Sequence, residues 1–318
     1  MLDVNATPIL VDIDIGTFTI DPKAVEAAIT TRTRAVIPVH LYSRMCDMDA
    51  IMDIAARYNL YVIEDCAHQH GSRWRNVNAG VVGDVGSFSM QGSKILNTGE
   101  GGLITTKDAR INAVIRSLRT CGRSYDAGAL GAVSMQSGNF RMTDFQSAIG
   151  LCQLARLDEQ NALREKNAAW LEAQAAQIGG IDPLYRHPGI TFQTYYCWFL
   201  SYDSTQWGGV SRQAFFNALA AEFENTLSPG GTYEPLNNTS LYRPLSKKTH
   251  KLSEDYAKAV NPAQYDLPMC DKAFKEAAVG FFHTTLLMDS AGNQRIIDAF
   301  AKVKENLDEL RAYAKSIA

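Results

Sequence analysis

The run LYVIEDCA, residues 60–67, is apolar at successive positions rather than alternate ones, so both of its faces must be covered. Before it stands DMDAIMDIAARYN, which reads as a helix: Asp47 caps it, Ile51, Ile54, Ala55 and Tyr58 share one face, and Asn59 ends it. Further upstream TPILVDIDI reads as a strand, Asp21-Pro22 open a helix reaching about Thr30, and RAVIPVHL is another strand. Strands covered on both faces and joined by helices define an α/β chain built on a mostly parallel sheet. VGSFSMQ and GGLITTK lie close together and can pair with that sheet.

The texture changes after GNFRMTDFQSAIGLCQLARLDEQNALREKNAAWLEAQAAQIGG. This is a long helical pattern in which Phe145, Ala148, Ile149, Cys152, Leu154 and Leu157 can form an apolar stripe before Gly179-Gly180 stop it. Beyond it come the aromatic strand TYYCWFLSYD, a helix near residues 211–223, the irregular loop SPGGTYEPLNNTSLYRPLSKK and an amphipathic helix near residues 290–315. With 318 residues, 46% of them apolar, the chain is long enough for two domains, and the boundary is placed near residue 155, giving 1–155 and 156–318.

A formal net charge of −3 without acidic or basic blocks leaves no electrostatic footprint for nucleic acid or an anionic membrane, which points to small molecules and protein partners. No apolar run approaches a membrane span, and MLDVNATPIL has no basic region leading into an apolar one, so a cytoplasmic protein is expected. The six cysteines are scattered without a CxxC pair and read as buried free thiols.

In an open parallel sheet, ligands sit at the carboxyl ends of the strands. Glu64-Asp65 ends one strand there, and Ser89 through Lys94 follows another. A lysine at that place is either a solvated surface residue or a desolvated amine able to form a Schiff base with an aldehyde. Pyridoxal phosphate chemistry needs such an amine, a carboxylate for the pyridine nitrogen and donors for the phosphate, and Lys94, Asp65 and Ser89 supply one of each. Asp65 can instead cap the turn after its strand. His68 and His70 can be satisfied loop histidines, or with Asp65 and His40 a metal site, although H-x-H alone is a weak metal signal. The glycines of TGEGG mark a tight hairpin or a close approach of backbone to a ligand, and no GxGxxG follows an early strand.

Three stretches in this order, EDCAHQHGSRW, GDVGSFSMQGSKILNTGEGGLITT and GNFRMTDFQSAIGLCQL, resemble the DegT/StrS family of pyridoxal-phosphate aminotransferases acting on keto-sugars and keto-cyclitols. The likeness runs from about Ala6 to the C-terminus. It implies the fold type I architecture: a large domain with a mostly parallel sheet, a smaller C-terminal α/β domain, and a homodimer with shared active sites. By position it implies that Lys94 forms the Schiff base and shuttles the proton, Asp65 holds the pyridine nitrogen, His68 contacts the ring hydroxyl, and Ser89 binds phosphate with help from Asn139 across the dimer. Asn139 can alternatively cap the helix that begins near Thr143, and Arg141 can serve in an ion pair. Dehydratases related to the family carry histidine at the lysine position, so Lys94 favours ping-pong transamination, with glutamine or glutamate as amino donor.

Members of the family typically carry a longer segment before the strand matching TPILVDIDI, including a helix N-terminus that receives the cofactor phosphate. The resemblance therefore implies a large domain incomplete at its N-terminus, either as a fragment or as a shortened chain. VHLYSRMCDMDAI, EDCAHQHGSRW and NNTSLYRPLSKK are most similar to the branch that aminates scyllo-inosose or 2-deoxy-scyllo-inosose, with His68 where many nucleotide-sugar enzymes have glutamine. Three other readings stay open: a nucleotide-linked keto-sugar aminotransferase, a truncated non-catalytic interaction protein, and a metal-dependent hydrolase using Asp65, His68 and His70. Tyr233 and Tyr242 sit in a loop able to touch substrate, whereas TYYCWFLSY is expected to be packed strand.

Overall fold

The computed structural model describes residues 1–123, 125–126, 132–246 and 253–317. Four strands, β1 (Ala35–Val36), β2 (Tyr61–Asp65), β3 (Val85–Ser89) and β4 (Gly102–Thr106), lie side by side in that order. β1, β2 and β3 run parallel, and β4 returns antiparallel along β3 with Ser89 opposite Gly102. Helix α1 (Met48–Tyr58) joins β1 to β2 as expected, with the Asp47 carboxylate accepting from Ala50 N–H and Asn59 ending it in the left-handed region. Its Met48, Ile51, Ile54 and Ala55 pack with Val36, Val62 and Cys66 into one core. Tyr58 does not join them: it is exposed and its hydroxyl donates to Glu26.

Two expected strands are shorter than their apolar runs. In TPILVDIDI only Ile13–Asp14 is strand, paired with Thr19–Ile20. The aspartates take the backbone elsewhere, because Asp12 accepts from Met269 and Cys270 N–H and Asp14 accepts from Gly16 N–H. In RAVIPVHL the strand stops at Val36, ahead of Pro38, which has no N–H to give the ladder, and pairing resumes as a single bridge from Val39 to Asp65. The short helix that Asp21 caps, Pro22–Ala27, likewise ends at Ala27 rather than near Thr30.

After α2 (Ala109–Arg119), the long helical pattern divides at Arg156 into α3 (Asp144–Ala155) and α4 (Leu157–Ile178). The expected apolar stripe is not buried by this chain: Leu157 is, but Phe145 is 86% exposed, and Ile149 and Leu154 are about half exposed. A second sheet of β5 (Ile181–Pro183), β6 (Cys197–Tyr202) and β7 (Ala278–Phe282) is antiparallel with β6 in the middle. It packs against α4, α5 (Arg212–Glu222) and α6 (Ser290–Glu305), burying Trp198, Phe215, Phe281 and Phe300 with Leu171. The C-terminal helical pattern is also two helices, α6 and α7 (Leu307–Ile317). Ile190–Phe192 pairs with Arg73–Trp74, so between β5 and β6 of the second sheet the chain returns to the residues that follow β2.

Candidate active site

The site grows from the carboxyl ends of β2 and β3. Parallel pairing sets Asp65 opposite Ser87, two residues before β3 ends at Ser89. From there the chain loops out and back to β4. The loop is closed at its base by Met90 N–H to Gly101 O (2.9 Å) and Thr98 N–H to Met90 O (2.8 Å). The TGEGG glycines serve this return: Gly99 has φ +82°, and at Gly101, φ +151°, a Cβ would lie 2.8 Å from Thr98 Oγ1. Lys94 stands on the outgoing arm, its N–H bonded to Gln91 O at 2.9 Å.

The Lys94 amine is half-buried, with Nζ 4.1 Å from the centre of the Tyr196 ring. Burial lowers its pKa, while the charge of Asp65 works in the opposite sense. His68 is buried between two aromatic rings, 4.0 Å from Tyr196 and 5.5 Å from Tyr42. Its Nδ1 accepts from Tyr42 N–H at 3.1 Å, so Nε2 carries the proton. Burial, helped by the nearby Lys94 charge, lowers the pKa of His68 to about 3, so the ring is neutral. His70 donates from Nε2 to Ser89 O at 2.8 Å, and its buried Nδ1 has no partner.

Asp65 does cap its turn, with Oδ1 accepting from Ala67 N–H at 3.0 Å, while the same carboxylate acts electrostatically on Lys94. Ser89 Oγ accepts from Gln91 N–H at 3.3 Å. Asn139 stands apart, on the exposed segment ahead of α3, where its Oδ1 accepts from Arg141 N–H and its backbone bridges to Thr120. It is not the helix cap: Thr143 is, in a reciprocal capping box with Gln146. Arg141 Nη1 faces Cys121 Sγ, 3.9 Å away, and makes no ion pair among the described residues.

His40 does not join His68 and His70. It donates from Nε2 to Glu64 Oε2 (3.0 Å), accepts at Nδ1 from Cys46 N–H, and with Cys66 makes a compact buried trio beneath the sheet end. Glu64 also accepts from Gly80 and Gly83 N–H, so its lone pairs are engaged as structure. Burial acts to raise the Glu64 pKa, but the bonds from His40, Gly83 and Gly80 outweigh it and lower the pKa overall.

Two aromatic residues of the site, Tyr196 and Tyr42, carried no flag in the sequence, whereas Tyr233 and Tyr242 did. Tyr196, within the run read as packed strand, contacts both Lys94 and His68 with its ring and bonds Ser93 Oγ through its hydroxyl at 3.0 Å. Tyr233 N–H donates to Tyr42 Oη at 2.6 Å, which lays the start of the irregular loop against the same aromatic wall. Tyr242 and Arg243 anchor that loop, to Val260 O and Thr239 O. Its last two residues, Lys247 and Lys248, lie outside the described residues. The donor set fits an aldehyde-bearing pyridine phosphate: an amine of lowered pKa, a carboxylate whose charge acts on it, a neutral histidine whose Nε2–H has no partner among the described residues, and a hydroxyl at a strand end.

The DegT/DnrJ/EryC1/StrS aminotransferase family matches residues 1–279. An L-glutamine:2-deoxy-scyllo-inosose aminotransferase of Streptoalloteichus tenebrarius is 41% identical over 98% of this chain and 74% of the relative. An L-glutamine:scyllo-inosose aminotransferase of Streptomyces griseus is 37% identical over the same shares. Among solved structures, 3-amino-5-hydroxybenzoic acid synthase aligns with a TM-score of 0.79 at 26% identity, covering 95% of this chain and 75% of that one. DesV of S. venezuelae, solved in complex with a ketimine intermediate, aligns at 0.72 with 26% identity, covering 95% and 73%.

Proposed function

The chain belongs to the DegT/DnrJ/EryC1/StrS aminotransferase family, and on that premise we propose that it transfers an amino group from L-glutamine to the ketone of a cyclitol of the scyllo-inosose type. The observation that carries this reading is the half-buried Lys94 amine of lowered pKa, set at the strand ends within the influence of Asp65 and His68. Pyridoxal phosphate, when bound, supplies the electron sink that makes exchange of an amino group between two carbons feasible. Lys94 Nζ is the amine that attaches it and, once released, takes a proton from the donor's carbon and returns one to the acceptor's. Asp65 keeps a proton on the pyridine nitrogen through its negative charge. His68 donates Nε2–H to the ring oxygen, and Ser89 gives its hydroxyl to the phosphate. Tyr196 and Tyr42 exclude water from one side of that amine and imidazole.

Donor and acceptor occupy the same site in turn. Asn139 reaches the phosphate of a neighbouring copy in a homodimer, a reading supported by its surface position next to exposed Phe140 and Phe145 on the flank of α3. The large and small units divide near residue 155. No helix among the described residues is long and apolar enough to cross a membrane. Six unpaired cysteines fit a reducing cytoplasm.

Purified protein supplied with pyridoxal phosphate, L-glutamine and scyllo-inosose or its 2-deoxy form is expected to yield the corresponding aminocyclitol by mass spectrometry, and Lys94→Ala is expected to yield none. Product formed only from a nucleotide-linked keto-sugar would overturn the choice of acceptor.

A further inference from the structure

One turn of α4 is connected to both ends of the segment Ser89 to Ser93, which leads directly into Lys94. At the upstream end, His70 Nε2–H donates to Ser89 O at 2.8 Å, and Asn161 Nδ2 donates to the carbonyl of His70 at 2.9 Å. Gly71 permits that approach, since a Cβ there would lie 3.1 Å from Asn161 Nδ2. At the downstream end, His283 Nε2–H donates to Ser93 O at 3.2 Å, and Arg164 Nη2 faces His283 Nδ1 at 3.4 Å. Arg164 Nη1 donates to Asn161 Oδ1 at 3.1 Å and joins the two arms.

Arg164 is 1% exposed, and its partners Asn161, Gln160 and His283 are all neutral. Burial lowers its pKa to about 10, which still leaves the guanidinium charged at neutral pH. A buried charge with neutral partners weakens a fold relative to an apolar residue of the same volume, so packing alone gives no reason for it. Its effect on His283 does. A guanidinium can only donate, so the nitrogen it faces must offer a lone pair, and the imidazole proton is left on the nitrogen aimed at Ser93 O.

We propose that Arg164, braced by Asn161, is a positioning residue for the amino-transfer reaction: it fixes the Nε2–H tautomer of His283, so that His70 and His283 hold the carbonyls of Ser89 and Ser93, the two ends of the segment leading into Lys94. The proposal rests on Lys94 being the cofactor-bearing lysine, but the tautomer itself does not. Misplacing a reacting group by about 1 Å costs roughly a hundredfold in rate, so a loosened Lys94 turn should show in kcat more than in KM.

The first readout is the imidazole nitrogen spectrum of cofactor-free protein labelled with 15N-histidine. Wild type should show His283 as the neutral Nε2–H tautomer, and Arg164→Met should show it mixed or as Nδ1–H. The second readout is kinetic. Arg164→Met should lower kcat by roughly tenfold to a hundredfold, whereas Arg164→Lys, which keeps a charged donor, should recover part of it. His283→Gln presents an amide N–H where Nε2–H stood and has no tautomer to control. The double variant Arg164→Met/His283→Gln should therefore return to within about threefold of His283→Gln alone. A His283 that keeps its tautomer in Arg164→Met, or a double variant as slow as Arg164→Met, overturns the proposal. Should Arg164→Met fail to fold, His283→Phe against His283→Gln decides: Gln active with Phe slowed supports it, and equal rates refute it. Absent amino transfer in wild type would fail the functional reading and leave the tautomer result standing.

Discussion

Lys94 Nζ lies 4.1 Å from the centre of the Tyr196 ring, and the same ring stacks 4.0 Å from His68. One aromatic side chain from β6's N-terminal flank thus covers the nucleophilic amine and the neutral imidazole together, and burial there is the leading cause of both pKa shifts.

If Tyr196 is a main source of that burial, opening the wall should return Lys94 toward an ordinary lysine. In Tyr196→Ala the pH midpoint for reductive methylation of Lys94 in cofactor-free protein should rise, and in Tyr196→Phe it should stay near wild type. Peptide mass mapping across a pH series reads both, and an unmoved midpoint in Tyr196→Ala would assign the desolvation to other groups.

Glu64 binds three groups, the His40 ring and the N–H groups of Gly80 and Gly83. Replacing it with glutamine sets an amide NH2 against donors and leaves a buried group unpaired. Glu64→Gln should lose about 3 kcal/mol of stability in urea unfolding. A change below about 1 kcal/mol would mean that water or rearrangement satisfies those groups.

Three histidines, buried His68 and His70 and half-buried His283, give the fold an acid limit. The pKa of His68 is lowered to about 3, and those of His70 and His283 to about 4, in each case chiefly by burial. With folded values below the unfolded value of about 6.5, the unfolded chain binds protons first. The stability they contribute is therefore whole above that pH and is lost as pH falls toward the folded values. The urea midpoint should be flat from pH 8 to 7 and decline steadily from about 6.5 to 4. In His283→Gln the decline should be shallower, and an identical slope would remove His283 from the explanation.

The uncovered face of α3 makes the assembly testable. Phe145 and Ile149 are exposed on one side of the helix and Leu151 and Leu154 on the other, an apolar surface of the kind that marks an interface. Light scattering on wild type should give the mass of a dimer, with Phe145→Asp shifted toward monomer and slowed in amino transfer because Asn139 no longer reaches a partner's site. Asn139→Ala should remain dimeric and bind pyridoxal phosphate more weakly. A monomeric, fully active wild type would contradict both.

Much of this was legible in sequence because it follows local rules. The apolar run LYVIEDCA announced a parallel strand, although this chain covers only the Val62 and Glu64 face fully and leaves Tyr61 exposed, and Asp47 and Asn59 bounded α1 by chemistry that needs no tertiary context. The placement of Lys94, Asp65 and Ser89 at strand ends followed from the sheet itself. What stayed hidden depends on partners far away in the chain. Arg164 and His283 are 119 residues apart, and nothing in either local pattern announces the other. A signal was present in α4, where Asn161, Arg164 and Asn167 recur at three-residue spacing on the side that also buries Ala168 and Leu171. Polar residues on a buried helical face are the mark of a side-chain network. The α3 stripe misled because periodicity reports that a face is apolar and says nothing of which molecule covers it.

The account stands on Lys94 as the residue that holds the cofactor. The direct measurement is a visible absorption spectrum of the protein with pyridoxal phosphate, followed by borohydride reduction and peptide mass mapping, with Lys94→Ala alongside. The account predicts a pH-sensitive visible band and a reduced adduct confined to the Lys94 peptide, both absent from the variant. A colourless protein, or an adduct on another lysine that persists in Lys94→Ala, would contradict it.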